Sequence, residues 1–127
     1  MGYRSNVTYA VQAPEQTMMA KLAAWRLAGE HTQALKECLI GVCEGVGYVT
    51  FSANAVKWYL QYADVMCHEN LFAAFEADDN FSGSFVRLGE NDDDAEYRSF
   101  GEEEPLLQIT RGVENYVPDF KALPGVD

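Results

Sequence analysis

The alternation along the chain between strand-like and helix-like hydrophobic periodicity narrows the possible folds most. Over Ser5–Val11, apolar residues alternate with small or polar ones, which is typical of a strand. Pro14 then stands where a helix would begin, and Glu15–Ala28 has apolar residues at helical spacing. Gly29 is a natural helix stop. The chain therefore opens with a strand followed by an amphipathic helix.

The same two periods recur in the rest of the chain. His68 lies on the apolar stripe of the longest later helix, and we interpret it as a core-edge histidine with satisfied hydrogen bonds. The β-rich runs Tyr48–Ser52 and Val56–Leu60 form either a hairpin or one bent strand. The predicted helices and strands are Thr32–Leu39, Tyr48–Ser52, Val56–Leu60, Asp64–Ala77, Ser84–Leu88, Ala95–Phe100 and Leu106–Arg111.

This order, β-α-(α)-β-β-α-β-β-β, predicts an α+β fold in which two or three helices pack on one face of an antiparallel sheet. Among such folds it favours a ferredoxin-like core with an added hairpin. We expect one domain over residues 1–111 and an extended tail over 112–127. The side chains expected to be largely buried are Met18, Leu22, Trp25, Phe51, Trp58, Leu71, Phe75, Val86 and Ile109.

Length and composition limit the class of protein. With 127 residues, 48% of them hydrophobic, the chain can form one core. No apolar run reaches the roughly 18–20 residues of a membrane span, and the N-terminus lacks the apolar segment of a secretory signal. The odd number of cysteines favours reduced thiols in a cytosol. The alternative interpretation is a zinc site formed by Cys38, Cys43, Cys67 and His68.

Negative charge is concentrated in the second half of the chain. The net charge is −11, and residues 62–127 contain sixteen acids against four bases, while residues 1–61 are nearly neutral. Such a field repels phosphate backbones, so we expect no direct binding to nucleic acid. It favours a partner with a basic surface, or it serves solubility alone.

The acidic turns offer two interpretations besides solvation. Asp78 to Gly83 begins like a calcium loop, but Gly89 stands where the loop needs a bidentate glutamate. A metal site that pools Asp78, Asn80, Asp92 and Asp94 across two loops is one alternative. Consecutive acids on polar turns lack the apolar pocket that general acid–base catalysis needs, so we expect neither an enzyme nor a cofactor.

The second interpretation of these acids is an interface. Between Glu76 and Glu104 there are eleven acids against Arg87 and Arg98, and we expect the acidic turns to meet at one end of a three-strand meander. There they would present carboxylates to a basic groove that normally holds nucleic acid. The predicted interaction residues are Asp92, Asp93, Asp94, Glu102, Glu103 and Glu104.

Three segments carry a resemblance to a known family: Met1-Gly2-Tyr3-Arg4-Ser5-Asn6-Val7, then Lys57-Trp58-Tyr59 with Tyr62-Ala63-Asp64-Val65, and Arg87-Leu88-Gly89-Glu90 before Asp92-Asp93. In these segments the chain resembles small proteins carried by tailed bacteriophages and prophages, with Asn6 where that family tends to have Asp. The resemblance implies a phage-encoded protein of the bacterial host cytoplasm. It implies no activity and no catalytic residue.

The leading hypothesis is a non-enzymatic, phage-encoded protein that binds a host protein through its acidic surface. The host protein would belong to a defence or nucleic-acid-handling machine. The alternatives are a virion-accessory or DNA-metabolism helper without a dedicated acidic interface, and a metal-binding protein or metal-dependent hydrolase that uses the Asp78–Asp94 loops. Within the resembling segments, we expect Arg4 to pair with an acid such as Asp64 above a packed Trp58; the alternative is a partner-facing patch.

Overall fold

Four antiparallel strands form the centre of a computed structural model that describes residues 3–91, 93–109, 113–118 and 121–122. The strands of the sheet are β1 (Ser5–Pro14), β2 (Leu39–Cys43), β3 (Val46–Val56), β4 (Ser82–Gly89), β5 (Ala95–Phe100) and β8 (Lys121–Ala122). The central four stand in the order β4-β1-β3-β2. The strand β5 extends the sheet as the hairpin partner of β4, and β8 lies beside β2.

Three helices complete the fold: α1 (Glu15–Ala28), α2 (Thr32–Lys36) and α3 (Ala63–Glu76). The first begins after Pro14, whose φ of −52° suits a helix entry, and it ends at Gly29, whose φ is +72°. With α1 between β1 and β2 and α3 between β3 and β4, the chain has the β-α-β-β-α-β order of a ferredoxin-like core. The predicted α+β class, with helices packed against an antiparallel sheet, is confirmed.

The two faces of β1 belong to two separate apolar clusters. Val7, Tyr9 and Val11 face the helices, whereas Ala10 faces the other side, which Leu107 helps to cover. Phe51 and Trp58 are only partly buried, although both pack against the helix-side core. The side chain of Ile109 lies outside the described residues. The other expected core residues, Met18, Leu22, Trp25, Leu71, Phe75 and Val86, are buried.

Three element predictions are wrong, two of which concern Leu39–Cys43 and the third strand of the meander. The segment Leu39–Cys43, expected to continue a helix and then turn, is a strand that pairs with β3 through a two-residue turn. Both turn residues, Glu44 and Gly45, have positive φ, the conformation that joins strands most tightly. The third strand of the predicted meander does not join the main sheet. Its residues form β6 (Leu107–Ile109), which pairs with β7 (Val113–Asn115) in a separate two-stranded sheet.

Of the two β-rich runs expected around residues 48–60, the first lies in β3, which continues to Val56 and ends in a bulge, while the strand predicted over Val56–Leu60 is wrong. Ser5 opposes Val56 and Val7 opposes Ala53, so β3 has one extra residue there. Ala55 takes a positive φ of 55° at this point. Asn6 Oδ1 accepts the Ala55 N–H at 2.8 Å, and Arg4 Nη1 donates to the Ala55 carbonyl at 2.9 Å. The strand therefore ends at Val56, and residues 57–62 connect it to α3.

None of the helices in the described part of the chain is long and apolar enough to cross a membrane.

Candidate functional site

The acidic turns do not meet at one end of the sheet, and this part of the prediction is wrong. Gly89 lies opposite Ser5, at the start of β1, so the turn that follows it is at that end. Because β5 runs back along β4, Phe100 lies opposite Gly83, near the end of β1. Asp93 and Asp94 are therefore separated by the length of β5 from Glu102, Glu103 and Glu104. Asp92 lies outside the described residues.

A different set of acids does share one end of the sheet. Glu15 begins α1 directly after β1, and its N–H donates to the carbonyl of Gly45 in the β2–β3 turn. Asp79 lies just before β4, and a hollow of about 400 Å³ is lined by Gly45, Asp79 and Glu102 together. We define the acidic end as Glu15, Glu44, Asp79, Glu102, Glu103 and Glu104, all of which are exposed.

The charges of the acidic end are not neutralised locally. In residues 3–91, 93–109, 113–118 and 121–122, none of the six carboxylates forms an ion pair with a lysine, arginine or histidine. The neighbouring Lys21 pairs instead with Asp78 at 2.8 Å. Fixed charges of one sign on separate, well-anchored segments add to one focused negative field. The acidic end can therefore attract a basic surface.

A groove of about 860 Å³ runs beside the acidic end on the face of the sheet without helices. Glu103 and Glu104 form part of its wall. Tyr97 and Tyr116, which are 42% and 52% exposed, line it together with Pro105 and Leu106. Tyrosine beside carboxylates is a combination that suits cationic side chains, because a cation is attracted to both an aromatic ring face and a negative charge.

At the opposite end, Asp94 is a structural residue. Its carboxylate lies 2.9 Å from Arg87 Nη2 and accepts the Tyr3 hydroxyl at 2.6 Å. The hydrogen bond from Arg87, followed by that from Tyr3, lowers the pKa of Asp94. Asp93 is exposed beside it. This end carries bases as well as acids, so it does not present a field of one sign.

The structure contradicts the hypothesis of a metal site that pools acids from the Asp78–Asp94 loops. Asp78 and Asn80 lie at the acidic end and Asp94 at the other, so they cannot share one ion. The carboxylate of Asp78 accepts from Lys21 and from Asn80, and Lys21 is the main cause of its lowered pKa. No group of three His, Cys, Asp or Glu residues suited to a metal occurs among the residues that the structure describes.

The alternative of a zinc site is wrong, because the sheet lies between its cysteines. Cys38 and Cys67 pack against the helix-side core, while Cys43 packs against the core on the other face. His68 points into the helix-side core. The four residues therefore cannot surround one zinc ion.

A row of polar groups runs from the buried Tyr9 through His68 to the exposed Glu37. The Tyr9 hydroxyl lies 2.6 Å from His68 Nδ1, and His68 Nε2 lies 2.7 Å from Glu37 Oε1. Cys38 Sγ lies 3.4 Å from the same hydroxyl, and burial raises the pKa of that thiol to about 11. Because Tyr9 is fully buried, no substrate can reach its hydroxyl. The row satisfies polar atoms in the core, as expected for His68.

The three segments that carry the resemblance meet at the start of β1. The Tyr3 N–H donates to the Tyr59 hydroxyl at 2.6 Å, and the Arg4 N–H donates to Glu90 Oε1 at 3.2 Å. The expected pairing of Arg4 with Asp64 is wrong: the Arg4 guanidinium binds the bulge carbonyl, and Asp64 Oδ1 accepts the N–H of the next residue in its helix.

Trp58 lies in the wall of a cleft of about 430 Å³ at this end. Its ring packs against the core, and its Nε1 donates to Glu69 Oε2 at 3.1 Å. These contacts favour a structural role for Trp58 over a role as an exposed binding residue.

Comparisons of the chain with known protein families, curated proteins and solved structures find no match. Function is therefore inferred from the geometry and charge of the molecule. At the acidic end, the fold brings together six exposed carboxylates from four separate segments of the chain, which makes this surface the candidate binding site.

Proposed function

We propose that the protein is a non-enzymatic, phage-encoded binding protein that engages a host protein through the acidic end. The observation that carries the proposal is the convergence there of six exposed carboxylates without a neutralising ion pair in the described residues. The partner carries a basic surface of the kind that defence or nucleic-acid-handling proteins use to hold phosphates. The site of action is the bacterial host cytoplasm.

The physics of such an interface is dominated by long-range attraction. Each exposed ion pair stabilises a complex by only about 0–1 kcal/mol. Many charges of one sign, however, accelerate the encounter with a basic partner and make its rate depend on salt, since the Debye length is about 8 Å at physiological ionic strength. The same field opposes a nucleic-acid ligand.

The test compares two triple variants with the same change in charge. One variant replaces Glu102, Glu103 and Glu104 by Gln at the acidic end. The control replaces Glu30 and Glu90 by Gln and Asp93 by Asn, which are exposed acids elsewhere. A partner is first captured from a bacterial lysate and identified, and its association rate with each variant is then measured across a salt series.

We expect the acidic-end variant to associate at least about tenfold more slowly at low salt and to show a flatter salt dependence. The control is expected to remain close to the wild-type protein. Equal rates for all three proteins, without salt dependence, would overturn the proposal. That result would leave the acids a role in solubility, as in a helper protein without a dedicated acidic interface.

A further inference from the structure

A small cavity of about 120 Å³ lies at the acidic end, between the ends of β1, β4 and β5 and the loop that follows β5. Ser84 lies in its wall and is fully buried. The Ser84 hydroxyl has no hydrogen-bond partner among the described residues. Its neighbours across the two adjoining strands are Ala10, which has no polar side-chain atom, and Ser99. A buried hydroxyl without a partner is unfavourable, so this group points to something that binds there.

The cavity is continuous with the groove beside the acidic end. Gln12, Glu103, Glu104, Pro105 and Leu106 line both. A polypeptide segment that lies in the groove can therefore insert one side chain into the cavity. The groove has a volume of about 860 Å³, whereas the cavity, with about 120 Å³, holds only a small head group.

The groups around the cavity are mainly hydrogen-bond acceptors. Glu103 and Glu104 line it, and the Gln12 amide nitrogen already donates to the Glu104 carbonyl at 3.5 Å. The Ser84 hydroxyl accepts as well as donates. A cation with several N–H donors fits these groups better than any anion does.

We propose that this cavity is a subsite for the guanidinium of an arginine side chain presented by the basic partner. The inference rests on the proposed function and names the chemistry of its partner. Guanidinium is planar and has five N–H donors in a fixed fork, so it can donate to the hydroxyl and to the carboxylates together. The ammonium group of lysine is a compact point charge and cannot do so.

The test uses two capped peptides that alternate serine with either arginine or lysine, so that their length and charge are equal. Their dissociation constants are measured by titration calorimetry with the wild-type protein and with Ser84→Val, which removes the hydroxyl and narrows the cavity. Ser52→Val is the matched control, because Ser52 lies on the same sheet face in β3 but outside the groove. Thermal unfolding confirms that each variant is folded.

We expect wild-type protein and the control to bind the arginine peptide about tenfold more tightly than the lysine peptide. Ser84→Val is expected to lose this preference while its affinity for the lysine peptide is unchanged. If Ser84→Val does not fold, Ser84→Ala is expected to reduce the preference severalfold. A wild-type protein without the preference, or variants that retain it in full, would overturn the inference and leave a cavity filled by water.

The two proposals fail in different ways. If the acidic-end triple variant keeps the wild-type association rate with the captured partner, the proposed function is wrong. If that variant loses its rate but Ser84→Val keeps the preference for arginine, the acidic end is the interface and the cavity is not its arginine subsite.

Discussion

At the scale of single residues, the environment decides what each acid of this chain does. Asp93 and Asp94 are neighbours in one acidic run, yet Asp94 is held by Arg87 and Tyr3 while Asp93 is exposed. The sequence identifies both as acids on a turn but does not show which one an arginine from the neighbouring strand will reach. That depends on the β4–β5 register, which places Arg87 opposite Glu96 and near the turn.

The role of Asp94 predicts how stability depends on pH. Because the folded state lowers its pKa below the ordinary value of 3.8, the carboxylate stabilises the fold at pH values above 3.8. This contribution is lost as the pH falls through the lowered pKa. We expect Asp94→Asn to be less stable than the wild-type protein at neutral pH, with the difference shrinking in acid. Urea unfolding at several pH values measures it.

Asp93→Asn is the matched control, since its carboxylate makes no ion pair within the described residues. Its stability relative to the wild-type protein is expected to show no such loss with acidification. A difference for Asp94→Asn that stays constant from neutral to acid pH would contradict the role assigned to the Arg87 contact.

Sequence periodicity also anticipates the inward position of His68 and Tyr9 but not their contact. Each lies on the apolar face of its own element, and a tyrosine hydroxyl that is turned inward needs a polar partner. Their 2.6 Å contact depends on how α3 packs across β1, which neither local pattern contains.

At the scale of elements, the helices are predicted best because each carries its own signals. Pro14, the apolar stripe and Gly29 define α1 at the residues where the structure begins and ends it. The strand β2 is missed because its five residues include a glycine and follow a helix without a clear stop. Backbone pairing with β3 on one side and β8 on the other stabilises this strand, although its short sequence carries no strong strand signal.

The bulge at the end of β3 gives an element-scale prediction. A non-glycine residue in the left-handed region costs about 1–2 kcal/mol, and Ala55 is held there by Asn6 and Arg4. Ala55→Gly is therefore expected to raise the free energy of unfolding by about 0.5–1 kcal/mol, after the larger loss of backbone entropy of glycine is allowed for. Urea unfolding at neutral pH measures the change.

Ala53→Gly, two residues earlier in the same strand, is the control. Ala53 has no positive φ, so glycine is expected to lower the free energy of unfolding there by about 0.5–1 kcal/mol. Opposite signs for the two variants support the bulge conformation. An equal loss of stability in both would contradict it.

At the scale of the whole molecule, composition predicts an acidic protein but not the position of its acidic surface. Adjacent turns of a meander lie at alternate ends of a sheet, so Asp93 and Asp94 are separated from the Glu102–Glu104 run. Two members of the acidic end, Glu15 and Glu44, come from the half of the chain that is nearly neutral. They join the others because α1 begins where β1 ends, and because the β2–β3 turn lies beside the same end of β1.

On the proposed function, the partner contacts the acidic end and no other surface of the protein. Amide NMR spectra of the isotope-labelled protein, recorded with and without the partner captured from the host, map the surface that the partner contacts. We expect the largest shifts at residues 44–45, 79–80 and 101–106, with little change at residues 57–62 and 89–95. Shifts confined to residues 57–62 and 89–95, around the Trp58 cleft and the opposite turn, would contradict the account.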